Sequence, residues 1–495
     1  MNKRTIQHIA TLALGLAAVL AGAQSAQVQS SDGGFEKWIQ DIKHPSYWLT
    51  WGGDIRVREE YLDSVTTMGN ANAPRSLQNW VRFRGRVFAT VAPFEPVSVN
   101  MRLTTEPRYY IAETTVGNRM FSNRRGMDWT EGVIDNLNLK VTNLFEGPVT
   151  LTLGRQDIML GDGWLVMDGT PLDGSRTTFF DAARMTIDMP DDNLSLDLMY
   201  IDLGAMNNRV MPVINARSDR ALTDQNERGL IAYATFKPKK ELEVNAYFMY
   251  KHDQRVYEDR VYTPYTGYQT ARGDNGDIYT LGGRVVHDAT EHVRVSVEGA
   301  YQFGRKQETG TPMGARSNTL FGNNYHSISA CGLNSRISYL VKDKMNNVVY
   351  LAYEYESGDD PSTSKDEQFD PMWGRWPRWS EMYIYSYPNE TKVAFCSNVH
   401  RVGPGWTISP NKYLDFVVNY NLLYADQAVP TRASVASTSF SRHGHDRGQY
   451  LQAIMKAKFN KHLVGHLWAE VIWPGNFYSF KEQMTFLRWE VMASF

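Results

Sequence analysis

Arginine recurs at every second position in two neighbouring stretches of the sequence. Arg56 and Arg58 form one row, and Arg82, Arg84 and Arg86 form a second. Residues two apart lie on the same face of an extended strand, so each row would present its guanidinium groups together. Guanidinium groups bind carboxylates through paired, charge-assisted hydrogen bonds, and rings of them in a channel select anions. The spacing therefore predicts an anion-binding wall, provided that these stretches are strands that face water.

Further arginines are predicted to face the same interior. If the apolar residues of each strand point outward, then Arg102, Arg184 and Arg488 point inward together with the two rows. Arg155 departs from this pattern, because strict alternation would turn it outward. Either a bulge re-aims its side chain, or its strand ends at Gly154.

Acidic residues are predicted on the inner face as well, mostly away from the arginine rows. They are Glu60, Asp188, Asp197, Glu243, Glu298, Glu354, Asp415, Glu470 and Glu490. Two interpretations of this charged interior stay open. The arginines bind an anionic solute, or arginines and acids pair with one another simply to fill a wet interior.

The elements that position these residues are strands, and the last of them is the clearest. In the final segment, Met484–Phe495, apolar residues alternate with residues that include Arg488 and Glu490. An alternation of two is the period of a strand. The apolar face holds Leu487, Trp489, Val491, Ala493 and Phe495. A strand of this kind that ends on an aromatic residue is typical of the closing strand of bacterial outer-membrane barrels.

Strand-like segments continue through the chain, and we count eighteen of them. They lie near residues 50–61, 79–91, 97–107, 132–142, 148–156, 180–189, 194–202, 227–236, 242–252, 277–286, 292–303, 326–340, 347–357, 390–401, 412–424, 448–459, 463–473 and 484–495. Short turns, of which Gly403–Asn411 is one, alternate with longer connections, as periplasmic turns and extracellular loops do. The predicted fold class is all-β, a transmembrane antiparallel β-barrel of about 18 strands that encloses an aqueous channel.

The composition and the N-terminal segment bear on location. With 52 Lys and Arg against 54 Asp and Glu, the formal net charge is −2, and nothing suggests nucleic-acid binding. After the first 30 residues no apolar run reaches the length of a transmembrane helix, which excludes a helical membrane protein. We predict a secretory signal peptide at 1–23, a periplasmic lead at 24–49 and a barrel of the bacterial outer membrane at 50–495.

Several short motifs are spread over nearly the whole chain after the signal segment. They are GGDIRVREEYLD, LGRQD running to GDG, FDAAR, SGDDP with FDPMWGRWPRW, and PGNFYS before the last strand. Together they resemble the alginate export porin family of outer-membrane proteins. The resemblance implies a monomeric, eighteen-stranded barrel with an arginine-rich pore for an anionic uronate polymer. It implies pore residues at Arg56, Arg58, Arg82, Arg84, Arg86, Arg155 and Arg184.

The long connection at 357–389 is rich in tryptophan and acids. Its tryptophans include Trp373, Trp376 and Trp379. They could form a platform for sugar stacking, and the connection could equally be a lid or an ordered outer loop. Asp359, Asp360 and Glu367 raise the question of calcium, but their spacing fits no known motif. We expect no metal and no cofactor.

Three classes of function follow. The first is a passive channel for an anionic, alginate-like polysaccharide or its oligomers, in either direction. The second is a porin for small anionic solutes or nutrients. The third is an outer-membrane enzyme, which we do not expect, because the sequence has no nucleophile elbow and no HExxH motif. The expected partners are the polysaccharide or oligosaccharide, outer-membrane lipid and, for export, periplasmic secretion proteins.

Overall fold

The computed structural model describes residues 33–64, 77–111, 126–128, 132–167, 179–205, 225–255, 275–307, 325–374, 377–386, 397–428 and 440–495. Within them lie twenty strands: β1 (Leu49–Asp63), β2 (Leu77–Phe94), β3 (Val97–Thr105), β4 (Arg108–Tyr110), β5 (Gly126–Asp128), β6 (Gly132–Val141), β7 (Val149–Gln156), β8 (Phe180–Met189), β9 (Leu194–Leu203), β10 (Asn226–Lys239), β11 (Leu242–Gln254), β12 (Asn275–Asp288), β13 (Val293–Gln307), β14 (His326–Leu340), β15 (Val348–Glu356), β16 (Val399–Asn411), β17 (Leu414–Tyr424), β18 (Asp446–Lys458), β19 (Leu463–Pro474) and β20 (Met484–Ser494). The described helices are α1 (Gly33–Lys43) and α2 (Glu381–Ser386), with short 3₁₀ turns at Leu144–Glu146 and Pro190–Asp192.

The strands form one closed antiparallel sheet. Each long strand pairs with the next long strand in sequence, and the ring closes where β20 pairs with β1, from Asp54 opposite Ser494 to Asp63 opposite Thr485. The three-residue strands β4 and β5 only extend the sheet beside β2, so the wall itself has 18 strands. Closure removes the sheet edges, whose unpaired backbone groups lipid could not satisfy. The predicted β-barrel is confirmed.

Alternation along the strands separates an outer from an inner face. On β10, Leu230 points outward and is 52% exposed, whereas its neighbour Ile231 points inward and is 2% exposed. Leu281 of β12 and Ile337 of β14 are exposed in the same way as Leu230. This outer apolar surface is suited to lipid, and it leaves the inner face for polar and charged residues.

The connections differ in length between the two ends of the barrel. Short turns, such as 95–96, 240–241 and 412–413, lie at one end, and long connections, such as 157–179 and 357–398, lie at the other. This sorting is the one that the sequence predicts for periplasmic turns and extracellular loops.

One predicted turn is wrong. Gly403–Asn411 is the second half of β16, so the strand predicted near 390–401 lies later in the chain, and the reversal follows at 412–413. Gly403 serves close packing rather than a turn, because a Cβ there would collide with the Tyr420 carbonyl oxygen of the neighbouring strand. Glycine within a strand can mark such a close approach, which sequence spacing does not distinguish from a turn.

Helix α1 lies against the short-turn end of the barrel. Glu36 forms an ion pair with Lys461 and a hydrogen bond with the His462 imidazole, both in the turn between β18 and β19. The hydrogen bond from Lys461 lowers the pKa of Glu36. These contacts hold α1 beside the end of the barrel at which the chain enters β1.

Residues 1–32 lie outside the described part of the chain. The signal peptide at 1–23 and the periplasmic lead at 24–49 therefore stay predictions. None of the described helices combines the length and the apolarity needed to cross a membrane.

Candidate pore site

Arginines of three adjacent strands meet on the inner face of the barrel. Arg56 of β1 lies directly opposite Arg84 of β2. Arg58 lies directly opposite Arg82 in the same pair of strands. Like charges that face each other across strands destabilise a sheet, so this arrangement needs neutralising partners. We call this group the arginine cluster; it consists of Arg56, Arg58, Arg82, Arg84, Arg86 and Arg488.

Four carboxylates interleave with the arginine cluster. Glu60 accepts hydrogen bonds from Arg82 at 3.1 Å and from Arg488 at 2.7 Å. Glu106 accepts hydrogen bonds from Arg82 and Arg56, each at 2.9 Å. The other two pairs are Arg58 with Glu490 and Arg84 with Asp54, each at 2.7 Å. The two predicted rows thus face inward as parts of a buried ion-pair network.

The predicted separation of acids from arginines is wrong in this part of the wall. Glu60 and Glu490 lie within the arginine cluster, because they share the two-residue spacing of the arginines beside them. Asp54 continues the spacing of Arg56 in the same way and could have been found by it. Glu106 lies just after β3, but it falls within the strand predicted near 97–107 and shares the two-residue spacing of Arg102, so the same signal was present.

Arg102 and Arg184 extend the charged wall beyond the arginine cluster. Arg102 donates to Asp135 at 2.8 Å and to Asp157 at 2.6 Å. Arg184 donates to Asp197 at 2.8 Å. Both side chains are thus on the inner face and both are ion-paired. Arg86 lies 3.9 Å from Asp54 of the same wall.

Arg155 is buried near the end of β7 and pairs with Asp181 rather than with an acid of the arginine cluster. Strand β7 continues past Gly154 to Gln156 and the register runs on without a shift, so neither a strand end nor a register-shifting bulge lies at this position. Gly154 has a φ of 117°, so the backbone just before Arg155 departs from regular strand geometry. Arg155 is paired in register with Leu137, an outward residue, and with Asp181. Its guanidinium group binds Asp181 at 2.8 Å and lies 3.7 Å from the centre of the Phe179 ring. These contacts bury the guanidinium group of Arg155.

Two long connections fold into the barrel and pack against each other. We call residues 157–167 the first inner loop, and residues 357–374 with 377–386 the second inner loop. Trp373 of the second loop donates its backbone N–H to the first at 2.9 Å, and Trp164 of the first loop stacks on Phe369 of the second at 5.4 Å. Both loops join one apolar cluster with inward residues of β8 to β14. That side of the lumen is therefore filled by ordered loop residues.

Buried polar contacts fix the second inner loop to the wall. Lys251 of β11 binds the Asp370 carboxylate at 2.8 Å, and both groups are inaccessible to water. Gln302 of β13 exchanges two hydrogen bonds with the Asp370 backbone, at 2.6 Å and 2.8 Å. Since each of these groups would be costly to leave unpaired, the contacts stabilise this part of the loop against the wall.

The three tryptophans predicted to stack sugars have different surroundings. Trp373 is fully buried against Gly229 of β10, so the prediction that it stacks sugars is wrong. Trp376 lies outside the described residues. Trp379 is half-buried, with the Arg401 guanidinium group 5.3 Å from its ring centre. Sugar stacking by Trp379 stays a prediction.

Gly229→Ala is expected to loosen the second inner loop. The added methyl group would collide with the Trp373 indole and lie 2.8 Å from the Tyr250 carbonyl oxygen. Overpacking of this kind costs about 1–3 kcal/mol, which a lower urea midpoint of the refolded barrel would report. Gly299→Ala is the matched control, because its nearest contacts would lie at 3.9 Å. Equal midpoints of the two variants would contradict the packing described.

A cavity of about 520 Å³ lies beneath the second inner loop, beside the wall formed by β12 to β18. The arginines that line it are Arg284, Arg294, Arg336, Arg378 and Arg401. Sequence analysis did not single them out. Those on strands stand at inward positions of the same alternation, so that signal was present. Arg378 belongs to the second inner loop, and its sequence carried no such signal.

The acids named as a possible calcium site bond within their own loop. Asp360 accepts hydrogen bonds from Ser362 at 2.7 Å and 2.8 Å, and these bonds lower the pKa of Asp360. Glu367 accepts a hydrogen bond from Thr363 at 2.6 Å. Within the described ranges, no group of three His, Cys, Asp or Glu side chains is placed to hold a metal ion.

Comparisons with known proteins give a family and a fold. A family model described as alginate export matches residues 47–488. No curated protein matches the chain. Acinetobacter baumannii OccAB4 is 9% identical, with 91% of this chain and 100% of that chain covered and a TM-score of 0.50. Pseudomonas aeruginosa OccK5 (OpdH) is 10% identical, with 90% and 97% covered and a TM-score of 0.47. Pseudomonas aeruginosa OpdK, solved with vanillate, is 9% identical, with 90% and 98% covered and a TM-score of 0.49.

Proposed function

The chain belongs to the alginate export family and forms an outer-membrane channel, and we propose that this channel passes an anionic, uronate-rich polysaccharide or its oligomers through an arginine-lined pore. The observation that carries the proposal is the opposition of Arg56 to Arg84 and of Arg58 to Arg82 across two paired strands. A wall built for stability alone would place opposite charges there. Recognition of an anion gives a reason to keep like charges together.

The charge balance of the arginine cluster supports the same conclusion. Its six guanidinium groups face the four interleaved carboxylates and Glu381 of the second inner loop, which binds Arg488 at 2.7 Å. The remaining positive charge would attract a polyanion into the lumen. A passive pore of this kind suits export or uptake, and export would require periplasmic secretion proteins to supply the polymer.

A porin for small anionic solutes is a second candidate. The two inner loops occupy one side of the lumen and leave a cavity of about 520 Å³. This volume is in the range of pockets that hold small-molecule ligands. A polymer would have to thread past the second inner loop or displace part of it, whereas a small solute would not.

In a planar bilayer the reconstituted channel is expected to select anions and to be blocked by uronate oligomers. The surplus positive charge should move the reversal potential in a KCl gradient towards that of chloride. A uronate trimer should interrupt the current at concentrations at which a neutral glucose trimer does not.

The length of the oligomer separates the two candidate functions. For a polymer conduit, the duration of each block should increase with oligomer length, because more sugar residues contact the wall at once. For a porin of small solutes, block should not increase beyond the shortest oligomers. Cation selectivity with no block by any uronate would contradict both.

A further inference from the structure

We propose that Arg336 and Arg378 form a carboxylate-binding site in the lumen, separate from the arginine cluster, that holds acidic sugar residues of the transported solute. The site lies in the cavity beneath the second inner loop, with one guanidinium group from the barrel wall and one from the loop. The inference rests on the proposed anionic substrate, and it assigns recognition to a different wall of the pore.

Arg336 stands on the inner face of β14 and lines the cavity. Its guanidinium carbon lies 4.4 Å from the centre of the Tyr350 ring. Tyr350 is itself fixed, because its hydroxyl donates a hydrogen bond to Asn419 of β17. Among the described residues Arg336 has no ion pair and no hydrogen-bond acceptor, and its side chain is exposed to the cavity. Contact with a ring face leaves the N–H edge of a guanidinium group available to an anion.

Arg378 reaches the same cavity from the second inner loop. The next residue is held in place, because the Trp379 carbonyl accepts hydrogen bonds from Tyr450 at 2.7 Å and from Gln452 at 2.9 Å. Arg378 is exposed to the cavity and forms no ion pair with any part of the described chain. Loss of hydration inside the lumen lowers the pKa of Arg378, the negative charge of Asp162 opposes this change, and the positive charge of Arg336 adds to it. A bound anion would relieve this repulsion.

The other charged groups around the cavity already have partners. The ion pairs are Arg284 with Asp162 at 2.9 Å, Arg401 with Glu354 at 2.9 Å and Arg294 with Asp288 at 2.8 Å. Of the further acids, Glu298 accepts a hydrogen bond from Tyr247 and Glu356 accepts one from Trp164. Arg336 and Arg378 are therefore the guanidinium groups of the described cavity wall that form no ion pair, although the charges of Asp162 and Glu354 still act on Arg378.

The surroundings of the two groups suit an acidic sugar. Each guanidinium group can bind a carboxylate through two parallel hydrogen bonds. Tyr350 and Trp379 place aromatic rings beside the cavity, and Asn334 and Asn421 place amide groups there that can bond to sugar hydroxyls. A site with two cations, aromatic surface and neutral polar groups fits a sugar chain with regularly spaced carboxylates. Small inorganic anions would bind to the same two guanidinium groups. Block of the current by a uronate trimer distinguishes an acidic sugar from a small inorganic anion at this site.

The test compares block of the single-channel current by a uronate trimer in Arg336→Gln, Arg378→Gln and the double variant. Each single substitution removes one charge-assisted contact, so block should weaken about tenfold in each and about a hundredfold in the double variant. Arg305→Gln is the matched control, because it removes a guanidinium group that is 66% exposed on the outer face of β13. Heat-dependent gel migration would verify that every variant is folded.

The outcomes distinguish this inference from the proposed function. If the trimer blocks the wild type and the double variant equally, the site is refuted and the proposed function stands. If the trimer blocks neither, but chloride selectivity falls in the double variant, the anion site stands and the uronate substrate is refuted. If neither block nor a change in selectivity is seen, both are refuted.

Discussion

Glu60→Ala is expected to lower the free energy of unfolding by about 3–5 kcal/mol, the usual effect of removing one partner of a buried ion pair. Glu60 is fully buried and accepts hydrogen bonds from Arg82 and Arg488. It also accepts one from the Trp80 indole at 2.8 Å. The substitution would leave these guanidinium groups short of a carboxylate in the middle of like charges. Urea unfolding of the refolded barrel, followed by tryptophan fluorescence, measures the change.

Asp202→Ala provides the matched control for Glu60→Ala. It removes a carboxylate from an ion pair with Arg228 whose side chains are 46% and 40% exposed, so the expected change is within about 1 kcal/mol. Glu60→Gln separates charge from shape, because it keeps an acceptor for Trp80 but loses the negative charge. Equal effects of Glu60→Ala and Asp202→Ala would show that the network is not needed for stability.

The two groups of arginines differ in what a passing anion would encounter. At the arginine cluster, a carboxylate of the solute would have to compete with Glu60, Glu106 and Glu490 for guanidinium groups that they already hold. At Arg336 and Arg378, no such exchange is required. We therefore expect the arginine cluster to set the electrostatic field of the pore and the cavity pair to make the direct contacts.

The two-residue period of the sequence was enough to predict the barrel and the inward orientation of Arg82 and Arg84, because the face of a strand residue is a local property. Among the ion-pair partners, Glu106 keeps the two-residue spacing of Arg102, whereas Glu381 was harder to predict, since it comes from a connection that enters the lumen. Whether a connection folds inward depends on packing between distant segments, such as Trp373 against a glycine of β10. The spacing of residues within one segment carries no information on whether a distant connection folds into the lumen.

Glu470→Gln is expected to release part of the second inner loop and to raise the single-channel conductance. The Glu470 carboxylate, fully buried on β19, accepts hydrogen bonds from the Ser380 hydroxyl at 2.9 Å and from the Met382 backbone N–H at 2.9 Å. It also accepts one from the Glu381 backbone N–H at 3.0 Å. Hydrogen bonds to a charged group contribute about 1.5–3 kcal/mol each, and the amide weakens all of them. A loss of about 3 kcal/mol would lower the ratio of docked to undocked loop by about a hundredfold.

Asp415→Asn is the matched control, because Asp415 also faces inward but bonds to Ser409 and Lys458 on the wall rather than to a loop. Its conductance should equal that of the wild type. If Glu470→Gln behaves likewise, the loop is held by its apolar packing and the Lys251 ion pair alone, and the carboxylate is not its anchor. If conductance rises and longer uronate oligomers then enter, the segment around α2 is the constriction that decides between a conduit for polymer and a porin for small solutes. Release of one loop by one carboxylate would then convert the second kind of channel into the first.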